Sequence, residues 1–190
     1  LLTRKRVALL AAFCLAGFFA APAVRADAPT ISGFVDTTYN YNFNNPFTGQ
    51  TALRSYDAKH NNIALNSAHL EFAGTMGDAG YNIQVDAGSD ASVAVASDPS
   101  RNSSYSTFDI QEAYMTYTCP KTHMNFKAGK FVTFNGIEVI ESKDNPTISR
   151  GYLFGLAEPF THVGAMLGRG FGKIDFMVGV LNGWDLMTDN

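Results

Sequence analysis

Residues 31–43 read ISGFVDTTYNYNF. The odd positions are Ile31, Gly33, Val35, Thr37, Tyr39, Tyr41 and Phe43; the even ones are Ser32, Phe34, Asp36, Thr38, Asn40 and Asn42. Alternation of this kind marks a β-strand whose two faces meet different surroundings. It runs for thirteen residues, whereas an ordinary strand has about five or six. One face is nearly all polar, and the other ends in three aromatic residues.

The pattern recurs along the chain, with strands expected near 31–43, 63–73, 81–88, 108–118, 123–131, 161–168 and 173–182. Tyr81, Ile83 and Val85 alternate with Asn82, Gln84 and Asp86, and Ile174, Phe176, Val178 and Val180 with Asp175, Met177 and Gly179. No stretch beyond the N-terminal segment shows helical periodicity. Two strands share a finer feature. LNSAHLEF (65–72) and IQEAYMTY (110–117) each slip in parity just before the alanine, as a β-bulge would require.

Connections alternate between long and short. Residues 44–62, 89–107 and 132–160 are long, whereas 74–80, 119–122 and 169–172 are short. Antiparallel neighbours place successive connections on opposite sides of a sheet, and a transmembrane barrel has tight turns on one side and grown loops on the other. A tilted strand crosses a bilayer in about 9–11 residues. The expected fold is therefore all-β: a transmembrane, antiparallel, up-and-down β-barrel. With seven strands and an end at Asn190 in mid-pattern, the chain is expected to be the N-terminal part of a larger barrel. Tyr39, Tyr41 and Phe43 are expected at the membrane interface.

The N-terminus agrees with export. Arg4, Lys5 and Arg6 precede the 13-residue apolar run Val7–Phe19, and Val24-Arg25-Ala26 offers a cleavage site. Residues 1–26 read as a signal peptide, leaving 27–190 as the barrel segment. Its removal leaves 10 Lys and Arg against 17 Asp and Glu, a net charge near −7, the wrong sign for a nucleic-acid partner. Cys119 is then the one remaining cysteine, so an internal disulfide is excluded.

A family resemblance is carried by residues 128–185, through AGKFVTFNGIEVIES, DNPTISRGYLFGLAEPFTHVGA and GVLNGWD. The segment resembles the putative β-barrel porin-2 family of bacterial outer membranes. The resemblance implies a signal-bearing barrel in the outer membrane that passes small hydrophilic solutes or ions by passive diffusion. It implies contact with outer-membrane lipid and neither a cofactor nor a catalytic residue; a homo-oligomer is compatible with it.

The 29-residue connection 132–160 is the expected seat of function, since loops beyond about 12–15 residues are uncommon unless functional or disordered. Opposed charges set selectivity at a pore constriction, and Arg150 is expected to face Glu138 and Glu141 there. Asp36, Asn40, Gln84, Asp86, Asn125 and Lys127 are expected to line a wet lumen. Four histidines are spread over separate elements without metal-site spacing, so no metal site is expected. The alternative is a secreted soluble β-sandwich or small barrel that binds a ligand, which would have no use for an outward row of Val35, Tyr39, Tyr41 and Phe43.

Overall fold

The computed structural model describes residues 26–99 and 106–189. The signal segment, save Ala26, lies outside the described residues. Seven strands are present: β1 (Thr30–Asn40), β2 (Asn62–Met76), β3 (Ala79–Ala87), β4 (Phe108–Thr118), β5 (Asn125–Val132), β6 (Thr161–Phe171) and β7 (Ile174–Leu181). They form one antiparallel sheet in sequence order, with β1 and β7 at its two ends. The sheet is an up-and-down meander that is not closed.

Turn chemistry explains the short connections. The β2–β3 turn is only Gly77-Asp78 and the β6–β7 turn only Gly172-Lys173. Gly77 (φ 62°) and Gly172 (φ 65°) each supply the positive φ at the first central position, which suits the right-handed twist of a two-residue hairpin. β1 is shorter than its alternation. Pairing ends at Asn40–Asn62, because the Asn42 side chain accepts from the Asn44 backbone N–H at 3.0 Å and turns the chain. Tyr41 and Phe43 therefore leave the strand and lie in the first connection, where Tyr41 packs on His60 and Phe43 at ring distances of 4.9 and 5.4 Å.

Both parity slips are bulges. Asp36 faces Ser67 and Thr37 faces Leu65, leaving Asn66 extra on β2. Likewise Gln84 faces Glu112 and Val85 faces Ile110, leaving Gln111 extra on β4. Each bulge buries two adjacent polar residues, Asn66 with Ser67 and Gln111 with Glu112, while Leu65 and Ile110 stay exposed on the opposite face.

The sheet is a single layer with unlike faces. Ile31, Val35, Ile63, Leu70, Ile83, Met115, Val178 and Val180 are among a broad set of exposed apolar side chains on one face. Asp36, Ser67, His69, Asp86, Asp109 and Glu112 lie on the other. The apolar cluster of buried residues sits elsewhere: Tyr56, Ile140, Phe154 and Phe160, with Val93 and Val132 packed against them. Apart from Val132, these come from the long connections 41–61, 88–107 and 133–160.

Among the described residues two short α-helices interrupt those connections, α1 (Ser89–Ala96) and α2 (Tyr152–Ala157), besides a 3-10 turn at Ser142–Asp144. Neither was expected. Helices of 8 and 6 residues make about two turns or fewer, too short for a 3.6-residue period to stand out. α1 buries Asp90, Ala91 and Val95, and α2 buries Phe154.

Candidate functional site

The candidate site is the polar face of the sheet together with the connection 133–160 that folds onto it. The ends of this connection are pinned where Thr133 N donates to Phe160 O at 3.0 Å. Asp185, beyond β7, accepts from the backbone N–H groups of Phe160 and Thr161 at 2.7 and 2.8 Å. Asn145 organises its middle, accepting from Val139 N at 2.9 Å and donating to the carbonyls of Val139 and Glu141 at 2.8 and 2.9 Å. Glu138 closes a second ring by accepting from Gly151 N at 2.9 and 3.0 Å.

From this frame the connection reaches across the sheet. Ser142 donates to the Asp36 carboxylate on β1, and the bulge residue Gln111 on β4 donates to Glu141. Bulges bend a strand and re-aim its side chains; here the extra residue on β4 becomes an anchor for the loop. Ser55 of the first connection donates to Gly155 O at 3.3 Å, and Arg54 donates to Arg150 O at 3.4 Å.

Arg150 is the centre of the loop assembly. Its guanidinium donates to Asp90 of α1 at 3.1 Å, to Ile148 O at 3.3 Å and to Ile140 O, and lies 4.4 Å from the ring centre of Tyr56. The Asp90–Arg150 pair is almost wholly buried. Burial pushes the Asp90 carboxyl up to about 7, against the pull of Arg150. Burial likewise raises the Tyr56 hydroxyl well above its usual range. The expected opposition of Arg150 to Glu138 and Glu141 thus takes another form: Arg150 is spent on Asp90, Glu138 on Gly151, and Glu141 on Gln111.

The expected lumen residues share one face. Asp36, Asn40, Gln84, Asp86, Asn125 and Lys127 all occupy the polar side in the strand register. Asp86 accepts from Ser67 at 2.5 Å. Lys127 lies 4.0 Å from the ring centre of Tyr114 and 5.4 Å from that of Phe131. Lys130 pairs with buried Asp109 at 3.0 Å and also donates to Ile110 O beside the bulge at 2.7 Å.

Between the loop and the sheet lies a cavity of about 420 Å³, walled by β1–β4 below and Glu141, Lys143 and Asp144 above. Sequence reading missed its Glu71, Glu112 and His69 as a group, although each sits on the predicted polar face. It also missed Asp90 and Tyr56, and it marked Phe154 only within the stretch that carries the family resemblance. Nothing local marks these, since their role arises from contacts between separate connections.

The description "putative beta-barrel porin-2, OmpL-like" belongs to the family whose sequence model matches residues 29–190. No curated protein and no solved structure matches the chain.

Proposed function

Because this chain belongs to the putative β-barrel porin-2, OmpL-like family, we propose that its sheet forms part of a water-filled channel in the bacterial outer membrane. The apolar face meets lipid, and the polar face lines a path for passive diffusion of small hydrophilic solutes or ions. Asp36, Asn40, Asp86, Lys127 and Glu141 face that path. Arg150 and Glu138 act one step back, holding the connection 133–160 where it narrows the lumen. Tyr39, Tyr41 and Phe43 sit at one membrane interface, and residues 1–26 are the export signal.

One observation carries this reading: a single-layer sheet exposes its apolar face while its longest connection folds over the polar face of β1–β4. In water, so large an apolar area would be covered by a second layer. The soluble-sandwich alternative needs that layer on the side where the described residues place none. In lipid the same face is the stable one, and selectivity then comes from charges on the lumen side.

The test is conductance. The full-length protein, reconstituted in planar bilayers, is expected to give stepwise ohmic currents that grow when the segment 139–148 is deleted. Extraction into buffer without detergent, or the absence of any current from refolded protein, would overturn the proposal.

A further inference from the structure

We propose that the cavity under Glu141–Asp144 is a binding subsite for a small organic cation bearing an ammonium group. The inference rests on the channel reading and names the solute class that the constriction retains.

The strand register builds the floor. Ser32 faces Glu71, Glu71 faces Gln84, and Gln84 faces Glu112, giving one polar row across four strands. Glu71 and Glu112 are separated by one intervening strand, so their backbones lie about 9–10 Å apart. The roof adds Glu141 and Asp144, and among the described residues Lys143 is the one cation lining the cavity. Four carboxylates against one ammonium leave three formal negative charges around about 420 Å³.

Neutral donors hold three of these carboxylates. Glu71 accepts from Ser32 at 3.2 Å and Asn82 at 2.5 Å, Glu112 from Val132 N at 2.8 Å, and Glu141 from Gln111. Neutral donors orient a carboxylate without cancelling its charge, and each carboxylate has acceptor sites to spare. Lys143 is engaged by Asp144 in a half-exposed pair.

Two further observations point to an organic guest. Phe34 stacks on His69 with ring centres 4.9 Å apart, and the Lys143 ammonium already lies 5.1 Å from the Phe34 centre. The chain's own alkylammonium thus shows how a guest would meet the aromatic wall. His69 is 6% exposed and lines the cavity, and its buried Nδ1 has no hydrogen-bond partner among the described residues. Bare metal ions fit less well. They demand several oxygen ligands at about 2.0–2.6 Å, and among the described residues no group of three His, Cys, Asp or Glu side chains converges closely enough.

The probe is 1,4-diaminobutane, used on the full-length protein in two measurements. In planar bilayers carrying potassium current, it is expected to cause concentration-dependent block. The double variant Glu71→Gln/Glu112→Gln should weaken the block about tenfold or more, as expected for losing charge-assisted hydrogen bonds. Lys143→Met should strengthen it by removing the internal competitor. Calorimetric titration of the diamine into detergent-solubilised protein reads the subsite without requiring a channel. Binding that weakens in the double variant, even where no current flows, supports the subsite while the channel reading fails. Potassium current with no diamine block and no heat of binding overturns the subsite and leaves the channel. Unchanged affinity in both the double variant and Lys143→Met also overturns it. The half-exposed Lys143 provides the second variant if the paired glutamines prevent folding.

Discussion

Two sets of apolar side chains in this protein lie in opposite surroundings. Ile31, Val35, Ile83, Val178 and Val180 stand exposed on the sheet, while Tyr56, Ile140, Phe154 and Phe160 are buried among the connections. A water-soluble domain of this length gathers such residues into one core between two layers. Here the sheet holds together by its ladder of hydrogen bonds and polar rows, and its apolar face stays exposed, as the proposed placement in lipid requires. In that placement the long connections meet water, and they carry a small core of their own. The two regions have separate sources of stability, and substitutions should act on them separately.

The largest effect is expected at Arg150. Arg150→Ala leaves Asp90 buried and unpaired, which should cost the loop assembly about 3–5 kcal/mol. Limited proteolysis should then cut within 133–160 while the strands keep their protection. The double variant Asp90→Leu/Arg150→Met should restore most of the protection, because matched apolar groups replace a buried pair at little cost. Simultaneous loss of strand protection would show that the two regions stand or fall together. The next effect belongs to the sheet. Ile83→Arg should cost about 2–4 kcal/mol in folding into vesicles if Ile83 meets the bilayer midplane. Gln84→Arg, one residue along and on the opposite face, should fold nearly as well as the parent. Equal penalties for the two substitutions would erase the distinction between the faces.

Much of the sheet was legible because period-2 alternation survives any context that keeps the two faces different. The polar residues of β1, β3 and β5 and the parity slips that become bulges at Asn66 and Gln111 were visible in the alternation, and the long-short rhythm in the spacing of the alternating segments. Strand ends were less legible: the alternation runs on to Phe43, whereas pairing stops at Asn40, where an asparagine turn takes over. The loop core left no local trace. Arg150 was visible as a charge in a long connection, but its partner Asp90 lies 60 positions away on a helix too short to announce itself. Tyr56 looked like any loop aromatic, and only the folded connections bring it within 5.4 Å of Phe160.

The junction of the two regions is sensitive at Gly88, which leads from β3 into α1. Its φ is 149°, and a Cβ there would meet the carbonyl oxygen of bulge residue Asn66 at 2.2 Å. Gly88→Ala should cost about 1–3 kcal/mol through backbone strain, read as a lower denaturant midpoint. Because the residue abuts the bulge and caps α1, whose Asp90 holds Arg150 in the loop assembly, it should loosen both. An effect confined to one would place the boundary elsewhere.

The smallest effect is the pH dependence of the loop core. Asp90 titrates at about 7 in the folded loops, above its ordinary 3.8, with burial as the main cause and Asp86 and Asp36 adding to it against Arg150. The folded loops therefore hold a proton that the unfolded chain releases. The associated stability is fully present below the ordinary value and is lost as pH rises through about 7. Between about pH 6 and pH 8 the loops should weaken by about 1 kcal/mol, seen as faster proteolysis within 133–160 with the strands unaffected. Asp90→Asn should flatten that slope. A slope of opposite sign would mean that attraction to Arg150 outweighs burial at Asp90, so that the loop core is held by its ion pair more than by the aromatic packing around it.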